Sequence, residues 1–137
     1  MINFKKEIAK IISVITNIYV NEIEGYIEIP PDSNMGDYAF PCFRLAKELK
    51  KAPPVIASEI KEKIDLNNEV IDSVEVVGGY LNFYINKKLL VKTTIEEVDS
   101  KKDEYGKSNV GNGKNIIVEY SSPNIAKPFH IGHLRNT

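Results

Sequence analysis

Between Phe4 and Tyr19 the apolar residues Phe4, Ile8, Ile11, Ile12, Ile15, Ile18 and Tyr19 recur at spacings of three and four, with Glu7, Lys10 and Asn17 between them. That period gathers the apolar set on one side of a helix. The lysines ahead of the isoleucine-rich run imitate a secretory leader, but no small-residue cleavage site follows, so an amphipathic helix is expected instead. No stretch approaches the roughly 18 apolar residues that a membrane span needs. Tyr26 and Ile27 then open a short alternating segment that Pro30-Pro31 closes, and this is expected as a strand. PDSNMGD reads as a loop, and the helix formers of FRLAKELKK predict a helix from about 39 to 51. Pro53 and Pro54 end it and suit the first turn of another helix, in which Ile56, Ile60 and Ile64 share a face.

Two strands follow, Val70 to Val77 and Tyr80 to Asn86, rich in β-branched and aromatic residues and joined by the hairpin signal Gly78-Gly79. Alternation sends Leu81, Phe83 and Ile85 to the core face and Tyr80, Asn82 and Tyr84 to the exposed one. Helical spacing returns over 87–99 through Leu90, Ile95 and Val98. SKKDEYGKSNVGNGK is then polar and glycine-bearing in the manner of a linker. Beyond it, Ile116, Ile117 and Val118 form a continuous apolar run that suits a strand, Asn115 to Tyr120, buried on both faces of a parallel sheet. Twenty-odd residues cannot build that sheet, so the sequence is expected to stop inside its second domain. The orphaned strand is expected to find other partners, in the amino-terminal domain or by self-association with a neighbouring chain.

The fold class expected is α/β (α+β), a small antiparallel sheet with helices followed by the first strand and helix start of a Rossmann-like domain. The boundaries expected are 1–99 for an amino-terminal domain, 100–114 for a linker and 115–137 for the second domain. The 137 residues are 42% hydrophobic and 27% charged, enough for one ordinary core. With 18 basic against 19 acidic residues there is no strongly basic field, so any nucleic-acid binding must come from local features. Cys42 is the single cysteine, which excludes an intramolecular disulfide and a cysteine-rich zinc site and fits a reducing, cytoplasmic setting.

His130, Ile131, Gly132 and His133 spell HIGH at the expected start of a helix. Two imidazoles three residues apart lie on one side of a helical turn, and the free amides of a helix start are suited to phosphate oxygens. Gly132 would let a nucleotide come close to the backbone. The competing readings are ordinary surface or core histidines, or part of a metal site. No cysteine lies nearby and Glu119 is the one close acid, so the metal site is the weaker option and none is expected.

VEYSSPNIAKPFHIGHLRNT, twenty residues without a gap, resembles the signature of class I aminoacyl-tRNA synthetases in the form found in arginyl-tRNA synthetases. MGDYAFPCFRLAKELKKAPPVIASEI and VEVVGGYLNFYI resemble the additional amino-terminal domain of that family. The resemblance implies an arginine-tRNA ligase that uses ATP, with Mg2+, to activate L-arginine and then charges tRNA(Arg). It implies a cytoplasmic enzyme, monomeric as a whole, with no membrane association. His130 and His133 would stabilise charge on the α-phosphate, with Lys127 assisting and Gly132 lining the ATP site. Glu119, Ser122 and Asn124 would contact bound arginine, although Ser122 and Asn124 also suit a simple turn before Pro123. A fragment that stops before the rest of the catalytic domain is expected to be inactive.

The rings of Tyr80 and Tyr84 and the amide of Asn82 have the chemistry to stack and hydrogen-bond a splayed RNA base, and the resemblance implies that Tyr80 and Asn82 read a base of the tRNA D-loop. Ordinary cross-strand packing is the bland alternative. Lys47, Lys50, Lys51, Lys61 and Lys63 could meet phosphates but are more often a solvated helix face, and Asp37 suits a turn or cap. From a different class, the competing function is a complete non-catalytic RNA-binding module with a vestigial HIGH-like tail.

Overall fold

The computed structural model describes residues 2–66, 68–117, 128 and 130–132, which divide into two units at Lys102/Asp103. The first unit begins with helices α1 (Phe4–Thr16) and α2 (Val20–Tyr26). The Asn3 side chain caps α1 by accepting from the Lys6 amide at 3.0 Å, and Asn17 ends it in the left-handed conformation, φ 61°. Phe4, Ile8 and Ile12 are buried from this helix as the spacing predicts, together with Ala9, but the helix ends at Thr16 and Tyr19, expected on the same face, is 85% exposed.

A three-stranded antiparallel sheet follows, β1 (Tyr38–Pro41), β2 (Ile71–Val77) and β3 (Tyr80–Ile85), in the order β1-β3-β2. Between β1 and β2 lie a 3-10 turn (Cys42–Leu45), the short helix α3 (Ala46–Leu49) and α4 (Pro53–Lys63). Ile56, Ala57 and Ile60 of α4 pack with Leu81 and Phe83 of β3, Phe40 of β1, and Ile8, Ile12 and Ile23 of the first two helices in one core. Each such large apolar side chain contributes about 1.5–3 kcal/mol by leaving water. The opposite face of the sheet carries the rows Pro41–Tyr80–Val77 and Ala39–Asn82–Glu75.

The hairpin and α4 form where the sequence pattern predicts them, and the small antiparallel sheet with helices is the fold observed. Two segments differ. Tyr26 ends the helix of residues 20–26 rather than opening a strand, and the strand expected from Tyr26 to Pro30 shrinks to a single bridge between Glu28 and Ala39. Pro30 and Pro31 lack amide hydrogens, so no ladder extends past them. Within the helix expected from about 39 to 51, residues 39–41 instead join β1. Phe40 and Ala39 are worth more paired to β3, where both are buried, than in an isolated helix, and helix is left only for Ala46–Leu49 before Lys50 turns left-handed, φ 51°.

Between the bridge and β1 the chain makes a tight return. Asp32 caps a 3-10 turn (Ser33–Met35) by accepting from the Asn34 amide at 2.9 Å. Gly36 then takes φ 96°, with a position where an added Cβ would lie 2.9 Å from the Phe83 carbonyl oxygen. The Asp37 amide donates to that same oxygen at 2.8 Å, while its carboxylate accepts from the Ile85 amide at 3.0 Å and pairs with Lys87. Asp37 thus serves as a clamp on β3 and on the start of α5 (Lys87–Lys101), which Asn86 caps through the amides of Lys88 and Leu89.

In the second unit, residues 110–113 form turns, and no strand is assigned at 115–117. Ile116 and Ile117 are 71% and 95% exposed within the single chain. The remainder of that expected strand, residues 118–120, lies outside the described residues.

Replacing Gly36 by alanine should cost more than about 1 kcal/mol, because it combines a left-handed φ with a backbone clash. Gly25→Ala, inside α2 with nothing within 4 Å of the new Cβ, should instead add roughly 0.5–1 kcal/mol. Urea unfolding followed by circular dichroism separates the two. Burial pushes the Cys42 thiol up from 9.0 to about 12, so the folded protein holds that proton longer than the unfolded chain. Its contribution to stability is complete below about pH 9 and is lost as pH rises toward 12. Iodoacetamide at pH 8 should label Cys42 only after unfolding, and equal labelling rates with and without urea would contradict its burial.

Candidate nucleic-acid interface

On the sheet face turned away from the core, Glu28 bridges Ala39, Ala39 pairs with Asn82, and Asn82 pairs with Glu75. Directly opposed residues of antiparallel strands project to the same side, so these four form one transverse row. Ala39 is the smallest, and the gap above it opens into a cavity of about 340 Å3 lined by Glu28, Pro30, Pro31, Met35, Ala39, Val77, Tyr80 and Asn82. Tyr80 stands at its side with 37% exposure.

Asn82 shares the face of Tyr80, as alternation requires, but it is only 5% exposed. The expectation that both lie open to solvent is therefore corrected for Asn82. The reason is tertiary: Pro30, Pro31 and Met35 wall in the row that an isolated hairpin would leave bare. Its amide makes no side-chain hydrogen bond with any described residue, and it is the one buried polar residue among them. Facing the cavity without a protein partner, the amide offers both a donor and an acceptor to a ligand.

Tyr84 holds one wall in place. Its hydroxyl is shared between the Asn34 carbonyl oxygen at 2.9 Å and Glu75 Oε2 at 3.2 Å, which ties the turn carrying Met35 to the sheet. Partial burial, then the Glu75 hydrogen bond and the nearby Glu75 and Asp37 charges, raise this phenol above its usual value, so it remains a hydrogen-bond donor at neutral pH. Tyr84 is thus a structural member of the face rather than a further open ring. Phe43, at the end of the hairpin, meets Tyr80 edge-on, with ring centroids 5.3 Å apart.

Residues 3–85, which include this whole sheet and cavity, match the family model for the arginyl tRNA synthetase N terminal domain. The chain belongs to the arginyl-tRNA synthetase family. Residues 94–137 match the model for the catalytic domain of class I (R) tRNA synthetases. The chain is 56% identical over 135 residues to an arginine–tRNA ligase of Clostridium botulinum and 52% identical to one of Clostridium kluyveri, covering 98% of this chain and 24% of each relative. Among solved structures it resembles Thermus thermophilus arginyl-tRNA synthetase, with a TM-score of 0.54 and 30% identity over 96% of this chain and 21% of that one. This chain therefore spans about a quarter of the length of the relatives it matches.

Of the catalytic-side residues singled out in the sequence, His130 and Gly132 are described. His130 is exposed, residues 131–132 are helical, and the Gly132 amide donates to His130 Nδ1 at 3.1 Å. An added Cβ at Gly132 would stand 3.0 Å from the imidazole, so the glycine leaves room for the histidine ring itself. Glu119, Ser122, Asn124, Lys127 and His133 lie outside the described residues.

Sequence reasoning found Tyr80 and Asn82 from strand periodicity. It missed Glu28, Pro30, Pro31, Met35 and Ala39, because the cavity joins segments about 50 residues apart in the chain and no local pattern announces that union. No helix among the described residues is long and apolar enough to cross a membrane.

Because the Asn82 amide faces the cavity with no described partner, Asn82→Leu should change stability by less than about 1 kcal/mol. A loss above about 2 kcal/mol in a urea titration would mean that the amide supports the fold.

Proposed function

We propose that this chain is the start of an arginine-tRNA ligase, in which residues 1–99 grip the D-loop of tRNA(Arg), 100–114 link, and 115–137 open the catalytic domain. The observation that carries the reading is the cavity above Ala39, with a stackable ring beside it and an unpaired amide within it. A splayed base can stack on Tyr80 while its edge reaches Asn82, which supplies a donor and an acceptor at once. The net charge of −1 fits a site that gains affinity from stacking and shape more than from a basic field.

On the catalytic side, the reaction proposed joins the arginine carboxylate to the α-phosphate of ATP, releasing pyrophosphate, and then passes the arginyl group to a ribose hydroxyl of the terminal adenosine of tRNA, forming an ester and releasing AMP. ATP enters as its magnesium complex. His130 and His133, assisted by Lys127, donate to the α-phosphate as its charge builds, and each such preorganised donor contributes about 3–4 kcal/mol. Gly132 lines the same ATP site. Glu119 balances the charge of the cationic substrate, while Ser122 and Asn124 orient it by hydrogen bonds. The whole enzyme is proposed to act as a monomer in the cytoplasm.

The RNA half of the proposal is tested by measuring binding of a tRNA(Arg) transcript. Tyr80→Ala should weaken it by about tenfold or more, since one base stacked on an aromatic ring contributes roughly 1–3 kcal/mol. Asn82→Ala should act similarly, less than additively with Tyr80→Ala if both hold one base. Ala39→Val, which fills the cavity floor, should block binding with little change in secondary structure. Unchanged binding in folded variants would assign the aromatic face to packing alone. For the catalytic half, these 137 residues by themselves should give no arginine-dependent pyrophosphate exchange above background, because they span only about a quarter of the related ligases.

A further inference from the structure

We propose that Phe43 is a positioning residue of the RNA site, setting the orientation in which the Tyr80 ring meets a base, and that Gly79 is required because it leaves room for Phe43. The proposal rests on Tyr80 as the stacking ring and adds the part of the fold that holds it.

Phe43 is 52% exposed although its neighbours in the same 3-10 turn, Cys42 and Leu45, are 0% and 1% exposed. Those two anchor the turn in the core, so Phe43 is carried outward on a fixed base. The Cys42 amide donates to the Gly79 carbonyl oxygen at 2.9 Å, which latches this turn to the residue immediately before Tyr80. The two rings then meet at an interplanar angle of 67°, the edge-to-face arrangement that their quadrupoles favour.

Gly79 completes the device. An added Cβ there would lie 2.6 Å from Phe43 Cζ, 3.0 Å from Phe43 Cε1 and 2.8 Å from Pro53 Cβ, at the first residue of α4. In the hairpin the left-handed conformation belongs to its neighbour Gly78, φ 59°, so Gly79 is needed for space rather than for its backbone freedom. Tyr80 is flanked along its row by Pro41 and Val77 and paired edge-to-face with Phe43. A ring restrained in this way loses less rotamer freedom when a base stacks on it, so the gain appears as affinity.

The experiment measures binding of the 137-residue chain to a tRNA(Arg) transcript carrying 2-aminopurine at successive D-loop positions, whose fluorescence is quenched on stacking. Phe43→Leu should weaken binding by about threefold to tenfold and reduce the quenching, the span expected for loss of one aromatic pair. Phe43→Tyr should restore both. Gly79→Ala, which displaces Phe43 and also presses on Pro53, should reproduce Phe43→Leu with circular dichroism confirming that the fold is kept. In the free protein, both variants should remove the ring-current shift on the Tyr80 proton signals, a change that lost stability alone would not produce. Phe43→Leu combined with Tyr80→Ala should bind no more weakly than Tyr80→Ala alone. If Tyr80→Ala is impaired while Phe43→Leu and Gly79→Ala bind normally, the positioning role falls and Tyr80 as the stacking ring stands. Full additivity would make Phe43 an independent RNA contact and also overturn the proposal. Normal binding by Tyr80→Ala would remove both readings together.

Discussion

The sheet and its cavity depend on β3 being the central strand, with one face packed against the helices. Its Leu81 and Phe83 are fully buried against the helices, and its two edges carry β1 and β2. Because side chains alternate, the registration that buries Leu81 and Phe83 also fixes Tyr80, Asn82 and Tyr84 on the other face. A slip of one residue would put an amide and two phenols into the core and expose the phenylalanine. The stability of the hydrophobic layer thereby positions the polar row with no separate device for each residue.

That row becomes a cavity only because other segments close on it. Asp37 locks the returning chain to β3 through the Phe83 carbonyl oxygen and the Ile85 amide, and Tyr84 ties down the turn before it. Glu28 reaches the far side through one bridge to Ala39. The walls are thus held by a small number of hydrogen bonds at the sheet edge, whereas the floor is held by the core. Such a division leaves the Asn82 amide facing the cavity without a protein partner.

By itself, the sequence determined the elements whose signals are local. The period of α1, the diproline start of α4, the Gly78-Gly79 hairpin and the two faces of β3 follow from spacing and from residues with few conformational options. The HIGH segment was legible in the same way, as a motif read from consecutive letters. Tertiary structure decided what local preference leaves nearly balanced. Residues 39–41 sit beside good helix formers, yet β3 offered Ala39 and Phe40 a buried edge, and that burial outweighed helix propensity of at most about 0.7 kcal/mol per residue. Residues 20–26 became helical as Ile23 was buried against the core. Asn82 was covered, and Phe43 was brought against Tyr80, by segments far away in the chain. Periodicity reports which face a side chain occupies, but only the packing of distant segments decides whether that face meets water, a cavity or another ring.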